Sequence, residues 1–267
     1  MTELLFFSLV ALSLGSLLSL PLISVREIGR GFFSLWTVTI AVLGAIALGL
    51  QTAGLAGAAG GAPGGRIALL LALALALLVP FWAALRWGAH GTATVLLLAS
   101  ALCGGLVLRE LATASGAPPP WVLLRVASLL FSALAVGTVT VSMVLGHWYL
   151  VQPKLPLTPL RRLCDILLGV LLVRLAVSAW GFAASLHGGH RLLGGPDPIP
   201  WELLILSQRL LFGYVGSLIL AVMIRKTVML RSTMSATGLL YIAILFVWVG
   251  EFLSIYLGRI SGGLLVV

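Results

Sequence analysis

The chain has 267 residues, of which 61% are hydrophobic and only 9% charged, and it carries a formal net charge of +9 with a mean hydropathy of +1.19. A soluble domain needs a charged shell, about a quarter of its residues, so this composition excludes an ordinary water-soluble enzyme and makes lipid the expected solvent. The positive balance does not point to nucleic acid, because the cations are scattered over short loops with no soluble module to gather them into a patch.

The expected fold is an all-α, polytopic transmembrane helix bundle of eight spans, forming one integral membrane domain over 1–267. The first apolar stretch, Leu4–Ser24, has no basic residues before it and exceeds the roughly 7–15 residues of a signal-peptide core, so it reads as a retained helix. Phe32–Leu50 is the second, and Gln51–Arg66, rich in Gly and Ala, reads as a flexible outer loop. Ile67–Trp87 is the third and Thr92–Leu108 the fourth; Pro21 and Pro80 are expected to kink the first and third. Leu111–Pro120 ends in consecutive prolines and is expected to be a stiff extended lead into the fifth helix, Val122–His147, at Trp121. Leu163–Leu186 follows, then a polar outer segment, Ala183–Glu202, with His187, His190 and Asp197, read as a short cap. Leu203–Ile224 and Leu239–Leu257 complete the eight, separated by the basic, hydroxyl-rich Arg225–Gly238.

Lysine and arginine placement sets the expected orientation. The loops after helices one, three, five and seven hold Arg26, Arg30, Arg86, Lys154, Arg161, Arg162, Arg225, Lys226 and Arg231, whereas the opposite side holds Arg66, Arg109, Arg191 and Arg259. Both termini are therefore expected to be non-cytoplasmic, in the cell inner (cytoplasmic) membrane, with anionic lipids as partners of the basic loops. His147, beside Trp148 and Tyr149, and Arg225, Lys226 and Arg231 are the candidate inner-face contacts. Aromatic-belt and lipid-headgroup roles account for most of them.

Three arginines and one carboxylate inside the spans are the functional lead: Arg125, Arg174, Arg209 and Glu251. A charge in hydrocarbon costs at least roughly 2.5–3.5 kcal/mol, so such residues face a partner, a cavity or a ligand. All four fall in 121–267, which reads as the charge-bearing half on a scaffold of helices one to four in 1–110. By depth they occupy the central and outer bilayer, with Glu202 at the rim and Gln208, Tyr214 and Ser254 available for hydrogen bonds. Local spacing pairs Glu202 with Arg209, and Asp165 with Arg161 and Arg162 at i−4 and i−3. Arg174 has no such neighbour, so it must meet either Glu251 or a bound anion.

An arginine-rich pocket suits a carboxylate, a phosphate, a haem propionate or a polarised quinone carbonyl. None of the four histidines is mid-helix, so no axial haem ligand is evident, and His187 and His190 lack a third ligand for a metal. Cys103 and Cys164 lie too far apart in depth for a disulfide. HExxH, GxSxG, Walker A and CxxC motifs are absent from the chain, so it reads as no enzyme on its own. The expected function is an integral membrane subunit of an energy-transducing electron-transfer complex, partnered by other membrane subunits, with quinone, haem or pigment held at an interface. The alternatives are a secondary transporter for a small anionic solute and a purely structural or assembly protein.

Overall fold

The computed structural model describes residues 2–56, 62–114, 119–152, 155–187 and 200–260, and the side chains of 62, 119–120, 185–187, 200–202 and 259–260 are outside the description. Among the described residues there is no strand, and eight helices are long and apolar enough to cross a membrane. The protein is an all-α integral membrane bundle. Lipid leaves the backbone no solvent partner, so each span must close its own hydrogen bonds, and the helix does this within one segment.

In chain order the elements are α1 (Thr2–Ser19), α2 (Val25–Ile28), α3 (Arg30–Thr52), α4 (Ala62–Ala76), α5 (Leu78–Trp87), α6 (His90–Ala114), α7 (Pro119–Val151), α8 (Thr158–His187), α9 (Pro200–Gln208), α10 (Ser217–Met229) and α11 (Thr233–Ile260). A π-helical segment, Arg209–Gly216, joins α9 to α10 as one span, and α4 with α5 forms another. All eight expected spans are present. Pro21 lies in a 3-10 turn, Leu20–Leu22, that ends the first span. Pro80 cannot donate to the carbonyl of Ala76, and the α-helix is interrupted there, between Ala76 and Leu78. Ser100 of α6 donates to the carbonyl of Ala74 at 2.7 Å, beside that break.

Two linkers differ from expectation. The helix of the third span starts at Ala62, inside the segment read as a Gly/Ala loop, because Pro63 is tolerated in a first turn where the N–H would be orphaned anyway; 57–61 lies outside the described residues. Pro119 and Pro120 likewise open α7 in helical conformation rather than forming an extended lead. The resulting 33-residue helix is about 50 Å long at 1.5 Å per residue, well beyond the roughly 30 Å hydrocarbon layer. Of the segment read as an outer cap, Ala183–Glu202, the first residues continue α8 to His187 and the last open α9 at Pro200; 188–199 lies outside the described residues.

The centre of the bundle is α1, which packs against α3, α6, α7 and α11. Its sequence explains this placement. Gly15 and Gly137 let α1 and α7 meet so closely that a methyl on Gly137 would overlap the backbone of Gly15, and one on Gly15 would overlap the carbonyl of Ala133, which is the close approach small residues permit between membrane helices. Along the same contact Ser19 and Thr138 share a hydrogen bond of 3.0 Å between their hydroxyls. Apolar residues seal the rest, including Phe6, Leu14, Val136 and Val139, all essentially inaccessible.

Candidate functional site

The four intramembrane charges are all buried: Arg125 is 6% exposed, Arg174 and Arg209 4%, and Glu251 5%. Arg174 on α8 donates through Nη2 to Oε2 of Glu251 on α11 at 2.6 Å. Ser132 of α7 donates its hydroxyl to the same carboxylate oxygen. The question left by the sequence, whether Arg174 meets Glu251 or an external anion, is therefore answered in part by Glu251. It is not answered completely, because Nη1 of Arg174 is buried and has no hydrogen-bond acceptor among the described residues.

A second half of the network is built on the π segment. Arg209 donates to the hydroxyl of Tyr214 at 3.1 Å, and that hydroxyl is 2.5 Å from Ser178 of α8. The guanidinium carbons of Arg174 and Arg209 lie 5.8 and 5.7 Å from the centre of the Tyr214 ring, within cation–π reach. Tyr214 thus sits between two cations. In an α-helix, residues five apart are about 140° out of register. The i→i+5 hydrogen bonding of a π segment removes that offset and brings Arg209 and Tyr214 together.

Glycines set the helix spacing that brings these groups into range. Gly213 in the π segment and Gly250 in α11 approach so closely that a methyl on Gly250 would overlap the backbone of Gly213, and one on Gly213 would press tightly on the Gly250 Cα. The residue after each is Tyr214 or Glu251, so one backbone contact draws the phenol and the carboxylate to the same interface. Arg174 lies between them. Ser178, four residues after Arg174, shares its helical face.

Glu251 also borders a narrow cavity of about 20 Å³ whose other walls are apolar: Phe7, Val10 and Ala11 of α1, Leu108 of α6, and Leu129 and Ala133 of α7 contribute to it. The carboxylate therefore stands between a guanidinium and a hydrophobic space. On α7, Arg125, Ser128 and Ser132 are all buried and fall at i, i+3 and i+7, one stripe of the helix running from Glu251 toward the start of α7.

Other expected contacts are distributed differently. Gln208 and Ser254, among the described residues, make no side-chain hydrogen bond to the cluster, although Ser254 is buried one turn from Glu251. The backbone of Glu202 is in α9, and its side chain, with any bond to Arg209, lies outside the described residues. Asp165 does not pair with Arg161 or Arg162. It accepts from Nε of Arg225 on α10 at 2.5 Å, because α8 and α10 pack side by side and an i,i+4 pair on one helix is worth only about 0.2–0.5 kcal/mol. Arg162 instead donates to the carbonyl of Leu22 at 3.4 Å.

The inner-face candidates do not form one site. His147 is exposed with Nδ1 3.5 Å from the Tyr241 hydroxyl, Arg225 is engaged by Asp165, Lys226 is exposed, and Arg231 turns the chain into α11 with φ of 60°. The segment holding His190 is outside the described residues, as is the side chain of His187. Among the described residues no group of three or more His, Cys, Asp or Glu could hold a metal, and Cys103 and Cys164 are free thiols.

Sequence reasoning missed Ser132, Ser178 and the apolar wall from α1 and α6. Ser178 was accessible through its spacing from Arg174, and Ser132 through its position two turns from Arg125. The contribution of α1 carries no polar signal at all. The fold and site together define an eight-span membrane protein with a buried Arg–Glu–Tyr network across its last four spans. Comparison with protein-family models, with curated proteins and with solved structures finds no match to this chain.

Proposed function

We propose that the protein is a membrane subunit of an energy-transducing electron-transfer complex, and that Glu251 exchanges protons with a quinone-type ligand. One observation carries this reading: Glu251 has Arg174 on one side and a narrow, apolar-walled space on the other, which a ligand would widen by parting α1 from α7. Ligand sites are mostly apolar with a few placed polar groups. A quinone has that complementary character, an apolar ring and tail with carbonyl oxygens that take up protons as electrons arrive. Nη1 of Arg174, buried without an acceptor among the described residues, is positioned to polarise such an oxygen. Electrons come from a partner subunit in this reading, since the chain has no redox motif. The cytoplasmic membrane is the corresponding location, by the bias of cations toward one set of loops.

The test is gentle extraction from the native membrane followed by photolabelling with a short-tailed azidoquinone. The expected outcome is co-purification with subunits bearing haem, iron–sulfur or flavin groups, and quinone-competable labelling of peptides containing Phe7, Leu108 or Leu129. A free monomer that is not labelled at these peptides refutes the proposal.

One observation favours the second reading, a carrier of a small anionic solute. The same orphaned Nη1 of Arg174 donates to a carboxylate as readily as to a carbonyl. Uptake of organic anions into proteoliposomes, abolished by Arg174→Gln, supports the carrier; the apolar lining beside Glu251 argues against it.

A further inference from the structure

Roughly 24 Å along α8 from Arg174, at 1.5 Å per residue, the bundle ends in a cleft of about 470 Å³ where α7 stops and α8 and α11 begin. Its polar lining is Arg161, Arg231, Thr158, Thr233 and Tyr149, with Pro156 from the connecting loop. We infer that this cleft is a binding site for a phosphate group, held by Arg161 and Arg231 and independent of the intramembrane network.

The charge count favours an external anion. No carboxylate lines the cleft, and among the described residues neither arginine takes part in an ion pair. The carboxylate closest to Arg161 along its own helix, Asp165 at i+4, is committed to Arg225. Glu27 lies within electrostatic range of Tyr149, but it does not line the cleft and forms no ion pair with either arginine among the described residues, so two guanidiniums share one space without a carboxylate between them. Their mutual repulsion is relieved by an anion between them, and the planar donor forks match the oxygens of a phosphate.

The backbone adds to the same potential. Thr158 and Thr233 are the first residues of α8 and α11, helices of 30 and 28 residues, so the positive ends of both dipoles and their orphan N–H groups open on the cleft. The loop between α7 and α8 is anchored there by the hydrogen bond from the Tyr149 hydroxyl to the carbonyl of Pro156. The phosphate is either the phosphodiester of a lipid headgroup, which the position at a membrane end permits, or free inorganic phosphate. Both present the same oxygens.

The full-length protein, purified in a zwitterionic detergent, is compared with an Arg161→Gln/Arg231→Asn double variant by native mass spectrometry. The probes are phosphatidylglycerol against phosphatidylcholine, and inorganic phosphate alone. Arg231 has a left-handed backbone that Asn tolerates better, so the Arg231→Asn single variant retains the fold and separates lost binding from lost structure. Retention of phosphatidylglycerol that millimolar phosphate does not displace, and that falls roughly 25-fold in the double variant from two additive surface cations, assigns the site to a headgroup. Saturable phosphate binding without lipid preference, lost in the same variants, assigns it to the free ion. Binding of both probes that is unchanged in the folded variants, or absent from the wild type, overturns the inference.

Discussion

Replacing Glu251 by Gln leaves the Arg174 guanidinium, only 4% exposed, without the carboxylate it contacts at 2.6 Å. Removing one member of a buried ion pair costs about 3–5 kcal/mol, because the remaining charge stays desolvated. Ser132 simultaneously exchanges a charged acceptor for a neutral one, a difference of about 1 kcal/mol. Arginine cannot shed its charge, so about 4 kcal/mol is expected for Glu251→Gln. Arg174→Gln is expected to be milder, about 2 kcal/mol, since an orphaned carboxyl can become a neutral acid and still bond to Ser132. The double variant Arg174→Met/Glu251→Met removes both charges and fills the space with apolar atoms, so it should lie within about 1 kcal/mol of wild type. The measurement is reversible unfolding in mixed detergent–SDS micelles, followed by the intrinsic fluorescence of the eight tryptophans. Two single changes that sum to about 6 kcal/mol while the double costs about 1 show the coupling. Glu251→Gln within about 1 kcal/mol of wild type, or a double variant equal to the sum of the singles, refutes a buried, mutually dependent pair.

Three further outcomes follow from the packing. Gly137→Val places a branched side chain against the backbone of Gly15, so the α1–α7 contact must open at about 3 kcal/mol or more, measured by the same unfolding assay; a near-neutral result removes that crossing from the core. Tyr214→Phe deletes the hydroxyl that accepts from Arg209 and meets Ser178, with an expected loss of about 1–3 kcal/mol; equal stability means the hydroxyl network contributes nothing net. Asp165→Asn breaks the pair with Arg225, whose side chains are 54% and 41% exposed, so less than about 1 kcal/mol is expected, and a larger loss places that pair in a drier setting than its exposure indicates.

How much of this was legible in advance divides along physical lines. Span number follows from composition, because a helix in lipid must satisfy its own backbone and the apolar runs are long enough to do so one at a time. The charges Arg174 and Glu251 are equally visible, since each is conspicuous against Leu, Val and Ala. Their contact is not, because the partners are 77 residues apart and no periodicity links separate spans. Asp165 shows the converse: local spacing suggested Arg161 and Arg162, and a neighbouring helix supplied Arg225. The Arg209–Tyr214 bond escaped for a sharper reason, as α-helical periodicity places residues five apart on different faces and only the π segment aligns them. A bulge of that kind depends on how the seventh span packs against α11 through Gly213 and Gly250, which is tertiary information.

The site is also not confined to the charge-bearing half. Phe7, Val10 and Ala11 of α1 and Leu108 of α6 wall the cavity beside Glu251, and they are there because Gly15 lets α1 lie against α7. The same glycine contact therefore fixes both the core of the bundle and the distance between the apolar wall and the carboxylate. This connects stability to function: Gly15→Ala, whose methyl meets the carbonyl of Ala133, forces α1 away from α7 and should shift the wall relative to Glu251 before it unfolds the protein. If the cavity holds a hydrophobic ligand, that variant loses ligand affinity at temperatures where its helix content, read by far-ultraviolet circular dichroism, is still that of the wild type. If affinity and helicity instead fall together, the cavity is a packing defect of the α1–α7 crossing and Glu251 faces it without using it.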